Sequence, residues 1–309
     1  MSVLETNEEW TLEDARKQYE EDGATVLRGV IDPEWIEKLT AAANSLESGG
    51  APSTVEFARP GEGRFFQDSF GWLRLEEYKS FLFDSNIAEV AAQIMRANVV
   101  RFFYDQTLVK EPGTPKKTPW HQDYSYWPAN GEQIVSFWVP LDAATPESGV
   151  VTYIKGSHKW NAYMPVSGWS DNNDAGINIF GDTDDLDPEV LVERAGEGAQ
   201  GNQRRTLADI RANPDNYETI TWNVEPGDVL IHHSHTIHGA PGNLSADKRR
   251  RAISFRFFGD DAVWDESRPH FMRVIKKNAP HFPYPQHENG DPITAPIFPV
   301  LWPESAKTS

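Results

Sequence analysis

The run Trp120-His121-Gln122-Asp123 sets an imidazole and a carboxylate one residue apart, and far downstream the chain offers His232, His233, His235 and His238. In extended backbone, residues i and i+2 point the same way, so His121 and Asp123 converge while Gln122 faces away. Two imidazoles and one carboxylate are a donor set for a non-haem Fe(II) ion and leave positions on the metal open. The third donor must come from a distant strand, and any of the four downstream histidines could supply it. Beyond them stand Arg249, Arg250 and Arg251, and a guanidinium fork can take a carboxylate through two parallel hydrogen bonds. A His-X-Asp triplet alone has low specificity; the second cluster is what raises it above a chance pattern.

Several elements must carry these groups. Thr11-Leu12-Glu13-Asp14 reads as a helix start and Gly23 as its stop, followed by a short buried strand over Ala24 to Val30. Asp32-Pro33 begins a second helix with Trp35, Ile36, Leu39, Ala43 and Leu46 on one face, and a further helix covers Asn86 to Arg96. From Val99 the period turns strand-like. Val99 to Glu111, Gln133 to Leu141, Val150 to Lys155, Thr219 to Val224, Asp228 to His233 and Arg250 to Phe258 are β-branched or aromatic runs between turn residues. Helices first and short strands later predict a mainly β fold, a sandwich or barrel packed by N-terminal helices.

A single domain over residues 1–309 is expected: a mainly helical part at 1–98, a β core at 99–268 and an extended, proline-rich tail at 269–309. The strand rhythm stops at about 160–218, where glycine, asparagine and aspartate cluster. A connection of that length reads as a functional lid or a solvated insertion.

Composition narrows the partners. A net charge of -18 sets a like-signed field against nucleic acid, so none is expected as partner. With no cysteine there is no disulfide framework and no thiolate ligand. The start Met1 to Glu9 lacks a basic stretch followed by an apolar run, and no segment approaches the roughly 18 apolar residues of a membrane span. The expectation is a cytoplasmic protein with a small-molecule substrate and no membrane partner; no motif speaks to oligomeric state.

Read in order, the motifs resemble the phytanoyl-CoA dioxygenase family of Fe(II)- and 2-oxoglutarate-dependent oxygenases, from about Gly23 to Phe258. They are Asp22-Gly23-Ala24-Thr25-Val26-Leu27, Lys110-Glu111-Pro112-Gly113, Trp120-His121-Gln122-Asp123, Phe137-Trp138-Val139-Pro140-Leu141-Asp142, Ser148-Gly149, Gly156-Ser157-His158-Lys159 and Pro226-Gly227-Asp228-Val229. His238-Gly239 with Asn243, then Arg250-Arg251-Ala252-Ile253-Ser254, complete the series.

The resemblance implies a double-stranded β-helix, a cupin-like jelly roll, with iron at its open end. It implies His121, Asp123 and His238 as ligands, because the family's distal histidine precedes a glycine. It makes His232, His233 and His235 packing or supporting residues, and His158 structural. It implies an arginine anchor for 2-oxoglutarate: aligning Ala-Ile-Ser selects Arg250, whereas counting from the histidine selects Arg249. Trp138 and Lys110 match positions that line the cosubstrate pocket in some relatives, and Ala240 stands where a small hydroxyl residue is frequent. The implied reaction uses O2 and decarboxylates 2-oxoglutarate to succinate and CO2 while oxidising a small organic molecule. Related halogenases lack the carboxylate, so Asp123 points to hydroxylation or another oxygenase outcome. Tyr124, Tyr126 and Trp127 either wall the substrate pocket or pack the barrel rim. The competing readings are a metal enzyme of the same fold that works without 2-oxoglutarate, and a non-catalytic binding protein.

Overall fold

The computed structural model describes residues 2–3, 10–49, 51, 53–58, 61–160, 210, 212–267, 270–279 and 281–307. Most of the expected insertion at about 160–218 lies outside the described residues.

Local chemistry sets the N-terminal helices. Thr11 caps the helix Leu12–Asp22 in a reciprocal box with Asp14, and Gly23 ends it at φ 81. A Cβ on Gly23 would also stand 2.4 Å from His158 Nδ1, so glycine is required twice over at this corner. Asp32 caps Pro33–Ser45, with the proline at the first turn where its missing N–H costs nothing. The helix Ile87–Met95 is buried on most of its surface, and Glu76–Asp84, which the sequence reading did not anticipate, lies before it.

Two sheets face each other. The larger runs in the spatial order Ala24–Leu27, Val229–His233, Ile134–Pro140, Arg250–Phe258, Val100–Lys110, Phe65–Ser69, Thr54–Glu56, and Val300–Trp302 also pairs with Val100–Lys110. The smaller runs Ser2–Val3, Thr219–Thr221, Thr152–Ile154, His238–Ala240, Thr118–His121. All pairings within these sheets are antiparallel except that of Ser2–Val3 with Thr219–Thr221. This is the expected mainly β, cupin-like double-stranded β-helix with helices on one side.

Period-two alternation sends the two faces of the large sheet into two cores. Val139, Ile253, Phe255 and Phe257 pack with the helices, against Leu39, Phe81 and Ile94. Trp138, Leu230 and Ala252 turn the other way, into a smaller cluster with Val150, Tyr153 and Trp222 between the sheets.

Two parts depart from expectation. The tail at 269–309 is not simply extended, since Phe271–Asn278 is an α-helix and Val300–Trp302 adds a strand. The helix buries Met272 and packs Phe271 and Ile275 against the large core. The N-terminal 98 residues, read as mainly helical, contribute not only the expected strand at Ala24–Leu27 but also Thr54–Glu56 and Phe65–Ser69 to the large sheet. Among the described residues no helix is long and apolar enough to cross a membrane.

Candidate metal centre

Strand register brings the two separated histidines together. His121 ends Thr118–His121 and His238 begins His238–Ala240; these strands are antiparallel and the two residues are direct partners. Their ring centroids stand 4.2 Å apart. Gln122 keeps extended backbone (φ -106, ψ 133) before a 3-10 turn opens at Asp123, so the carboxylate returns to the side of His121. One donor atom from each of His121, Asp123 and His238 lies within 4.8 Å of the others, and all three residues are buried. Gly239 follows His238 because its α-carbon passes close to the neighbouring strand: a Cβ there would stand 3.0 Å from the Thr118 carbonyl and 3.3 Å from the Trp120 ring.

Hydrogen bonds fix which nitrogen faces inward. His121 Nδ1 lies 2.7 Å from the Pro119 carbonyl and His238 Nδ1 2.9 Å from the Thr236 carbonyl. A carbonyl only accepts, so each Nδ1 carries a proton and Nε2 is the nitrogen left to face a metal. These Nε2 atoms are 3.5 and 3.8 Å from Asp123 Oδ1. The other carboxylate oxygen, Oδ2, accepts from Ser136 Oγ at 2.8 Å and lies 3.4 Å from His232 Nε2 and 3.6 Å from Arg256 Nε.

Burial alone would raise the Asp123 pKa, but Arg256 and the surrounding imidazoles of His121, His232 and His238 together hold it well below the usual carboxylate range. Burial pushes the His238 imidazole well down, with His121 and His232 adding to it. A neutral imidazole and an ionised carboxylate are the protonation states a divalent ion requires of its ligands.

The site opens into a cavity between the sheets, where the trio meets Trp138, Arg250, Ser254, Arg256 and the aromatic rings of Tyr104, Tyr126, Trp127 and Phe271. The consecutive arginines separate by alternation. Arg250 is 2 % exposed and turns inward, its guanidinium 5.7 Å from the Trp138 ring centre. Arg249 turns outward to Glu47 and Glu111, and Arg251 outward to Asp142. Arg250 Nε has no acceptor among the described residues, and its one hydrogen bond is a long one, 3.3 Å, to the Leu108 carbonyl. Burial lowers its pKa to about 10, with Asp142 opposing.

Lys110 differs from expectation. It is fully buried but is not among the residues that line the cavity: Nζ donates to the Pro241 carbonyl at 2.7 Å and sits 4.8 Å from the Phe65 ring centre. Burial, then Arg250, pushes its ammonium well below the usual range.

The remaining candidates divide similarly. Tyr126 and Trp127 line the cavity, whereas Tyr124 stacks on His235 at 4.0 Å. His233 turns away from the site and bonds the Glu132 carbonyl, and His158 packs beneath Gly23. Ser136 and Arg256 were missed as site residues, and neither gave a sequence signal. His232, read as a packing or supporting residue, stands beside Asp123 with Nε2 3.4 Å from Oδ2.

A family model, phytanoyl-CoA dioxygenase, matches residues 19–252. The chain belongs to that family. As a member it is an oxidoreductase dependent on Fe(II), 2-oxoglutarate and O2. Relatives include a probable alpha-ketoglutarate-dependent hypophosphite dioxygenase of Stutzerimonas stutzeri, 22% identical over 76% of this chain and 74% of the relative. The multifunctional dioxygenase AusE of Penicillium brasilianum is 21% identical over 76% and 68%. In fold the chain is similar to the non-heme alpha ketoglutarate dependent carbocyclase SnoK of nogalamycin biosynthesis, with TM-score 0.67, 22% identity and 95% and 97% of the two chains covered. It is also similar to the epimerase SnoN, solved with Fe3+, alpha ketoglutarate and a nogalamycin compound, with TM-score 0.65, 21% identity and 94% and 98% covered.

Proposed function

We propose that this oxygenase holds its iron with His121, Asp123 and His238, anchors 2-oxoglutarate on Arg250, and hydroxylates a small organic molecule in the adjoining cavity, releasing succinate and CO2. The observation that carries the residue assignment is the convergence of the two Nε2 atoms and Asp123 Oδ1 in the same cavity as Arg250. The donor set fits iron by its chemistry: two imidazoles from neighbouring strands and one carboxylate from the turn that follows the first of them, each oriented by a second hydrogen bond.

The cosubstrate fit rests on Arg250. A guanidinium 2 % exposed with an orphaned Nε costs several kcal/mol if it stays uncompensated, and a carboxylate from a ligand removes that cost. Trp138 supplies a flat wall beside the fork. A metal enzyme working without an acidic cosubstrate leaves this arginine unexplained.

When bound, iron and 2-oxoglutarate supply the oxygen-activating chemistry that no side chain performs. The chain's own residues bind and orient. The Pro119 and Thr236 carbonyls hold the protons on the outer imidazole nitrogens, and Ser136 fixes the far carboxylate oxygen. Tyr126, Trp127 and Phe271 wall the cavity against water.

The test is a screen of small organic compounds for succinate release stimulated by the compound, with product mass recorded. A gain of one oxygen is expected; loss of two hydrogens would replace hydroxylation by desaturation, and succinate release abolished by Arg249→Ala but not Arg250→Ala would move the anchor.

A further inference from the structure

On the same strand as Arg250, six residues on and by alternation on the same face, stands a second buried cation. Arg256 is 4 % exposed and lines the cavity. Its guanidinium lies 4.4 Å over the Tyr104 ring and 5.6 Å from the Trp127 ring, so aromatic neighbours hold the planar group on one side.

Its donors are poorly used. Nη2 donates to Gln106 Oε1 at 2.8 Å, and Nη1 makes a long 3.4 Å bond to the Ser254 carbonyl. Nε has no acceptor among the described residues and stands 3.6 Å from Asp123 Oδ2, beyond hydrogen-bond distance. A guanidinium carries five N–H donors, so most of this one remains unspent.

Charge sharpens the point, and this step rests on the metal assignment above. A divalent ion consumes the charge of Asp123, and a dicarboxylate balances what remains on the ion together with Arg250. Lys110 does not line the cavity and spends its ammonium on the Pro241 carbonyl. The charge of Arg256 is then left in the cavity without a counter-charge, an arrangement that costs several kcal/mol until an anion arrives. Ser69 and Gln106, direct partners across the strands Phe65–Ser69 and Val100–Lys110, line the cavity and add polar atoms beside it. Tyr126, Trp127 and Phe271 supply apolar walls.

We infer that Arg256, with Gln106 and Ser69, is the specificity element of the substrate site, and that the substrate is an organic acid with one carboxylate head and an apolar body. Arg256 selects the charge of the head; the aromatic walls accept the rest.

The experiment uses the full chain, loaded without oxygen with Co(II) and 2-oxoglutarate, and calorimetric titration of matched acid and amide pairs: benzoate with benzamide, phenylacetate with phenylacetamide, octanoate with octanamide. In the wild type at least one acid is expected to bind about tenfold more tightly than its amide. Arg256→Gln is expected to reduce that preference to within about twofold, and Arg256→Lys to retain part of it. Because the readout is the ratio of acid to amide affinity within each variant, a moderate change in Co(II) affinity at Arg256→Gln, whose side chain stands 3.6 Å from Asp123, does not enter it. Absence of any acid preference in the wild type, or its persistence in Arg256→Gln, overturns the inference while leaving the metal centre standing. Loss of Co(II) binding in Arg256→Gln also overturns it, by making Arg256 a positioning residue for Asp123. Failure of the wild type to take up Co(II) removes the metal assignment and this inference with it.

Discussion

The two faces of the strand Arg250–Phe258 could hardly differ more. One face carries Ile253, Phe255 and Phe257 into the large apolar core, where Phe255 meets Phe81 at 5.0 Å and Phe257 meets Phe137 at 5.3 Å between ring centres. The other carries Arg250, Ser254 and Arg256 into the cavity, where the two Nε atoms lack acceptors among the described residues. The first face is complete without any ligand. The second keeps unspent donors that the proposed metal and anions would take up, so stability is concentrated on one side of the strand and the proposed binding on the other.

The comparison breaks first on the apolar side. Phe255→Ala should lower unfolding stability by about 3–5 kcal/mol, the usual cost of truncating a core phenylalanine, while the folded fraction still binds Fe(II). Urea unfolding with a parallel metal titration checks this; unchanged stability would mean the two faces are not divided as described. On the cavity side, His121→Ala and His238→Ala should each weaken Fe(II) binding by more than about 100-fold, beyond what loss of an outer hydrogen-bond partner does. Anaerobic Fe(II) titration measures it, and undiminished binding in both variants rules the trio out. Arg250→Ala should then cost about 2–3 kcal/mol of 2-oxoglutarate affinity, as for hydrogen bonds to a charged group, with iron retained. Arg249→Ala, whose side chain pairs with Glu47 and Glu111, should leave that affinity within about twofold, read by the same calorimetry.

A smaller effect sharpens the contrast between neighbouring histidines. His233 lies on the strand face opposite His232, packed by Tyr19 and His158, bonded to the Glu132 carbonyl and in the field of Asp261 and His232. Burial is the main cause that lowers its pKa to about 4. The unfolded chain, with an ordinary imidazole pKa of about 6.5, binds a proton first as pH falls. The stability from keeping His233 neutral is therefore full above about pH 6.5 and is lost as pH falls toward about 4, an effect on the order of 1–3 kcal/mol. His233→Gln should flatten that part of the stability profile; an unchanged slope would assign the acid sensitivity elsewhere.

Much of this arrangement could be read from the sequence because it follows from local periodicity. Arg250–Phe258 was expected at those bounds, and helix signals at Thr11 and Asp32-Pro33 lie where the helices begin. His121, Asp123 and His238 were named, and the structure brings them together. What escaped depends on tertiary register. Ser136 reaches Asp123 only because Ile134–Pro140 lies between Val229–His233 and Arg250–Phe258, and an isolated serine in a strand gives no sign of it. Arg256 reads in sequence as one charge in an apolar run. Strands such as Thr54–Glu56 are too short for an alternation to show. The helix Phe271–Asn278 spans barely two turns in a proline-rich segment and is held by Phe70, Tyr104 and the core, not by its own propensity.

The direct pairing of His121 with His238 has a consequence for folding. Sliding one strand past the other by a single residue turns one imidazole to the opposite side of the sheet, so an ion that needs both can bind only the correctly aligned pair. With the ligands proposed above, iron would act as a proofreader of strand alignment: each increase in free metal above its dissociation constant would deepen the native state by mass action and leave slipped pairings behind.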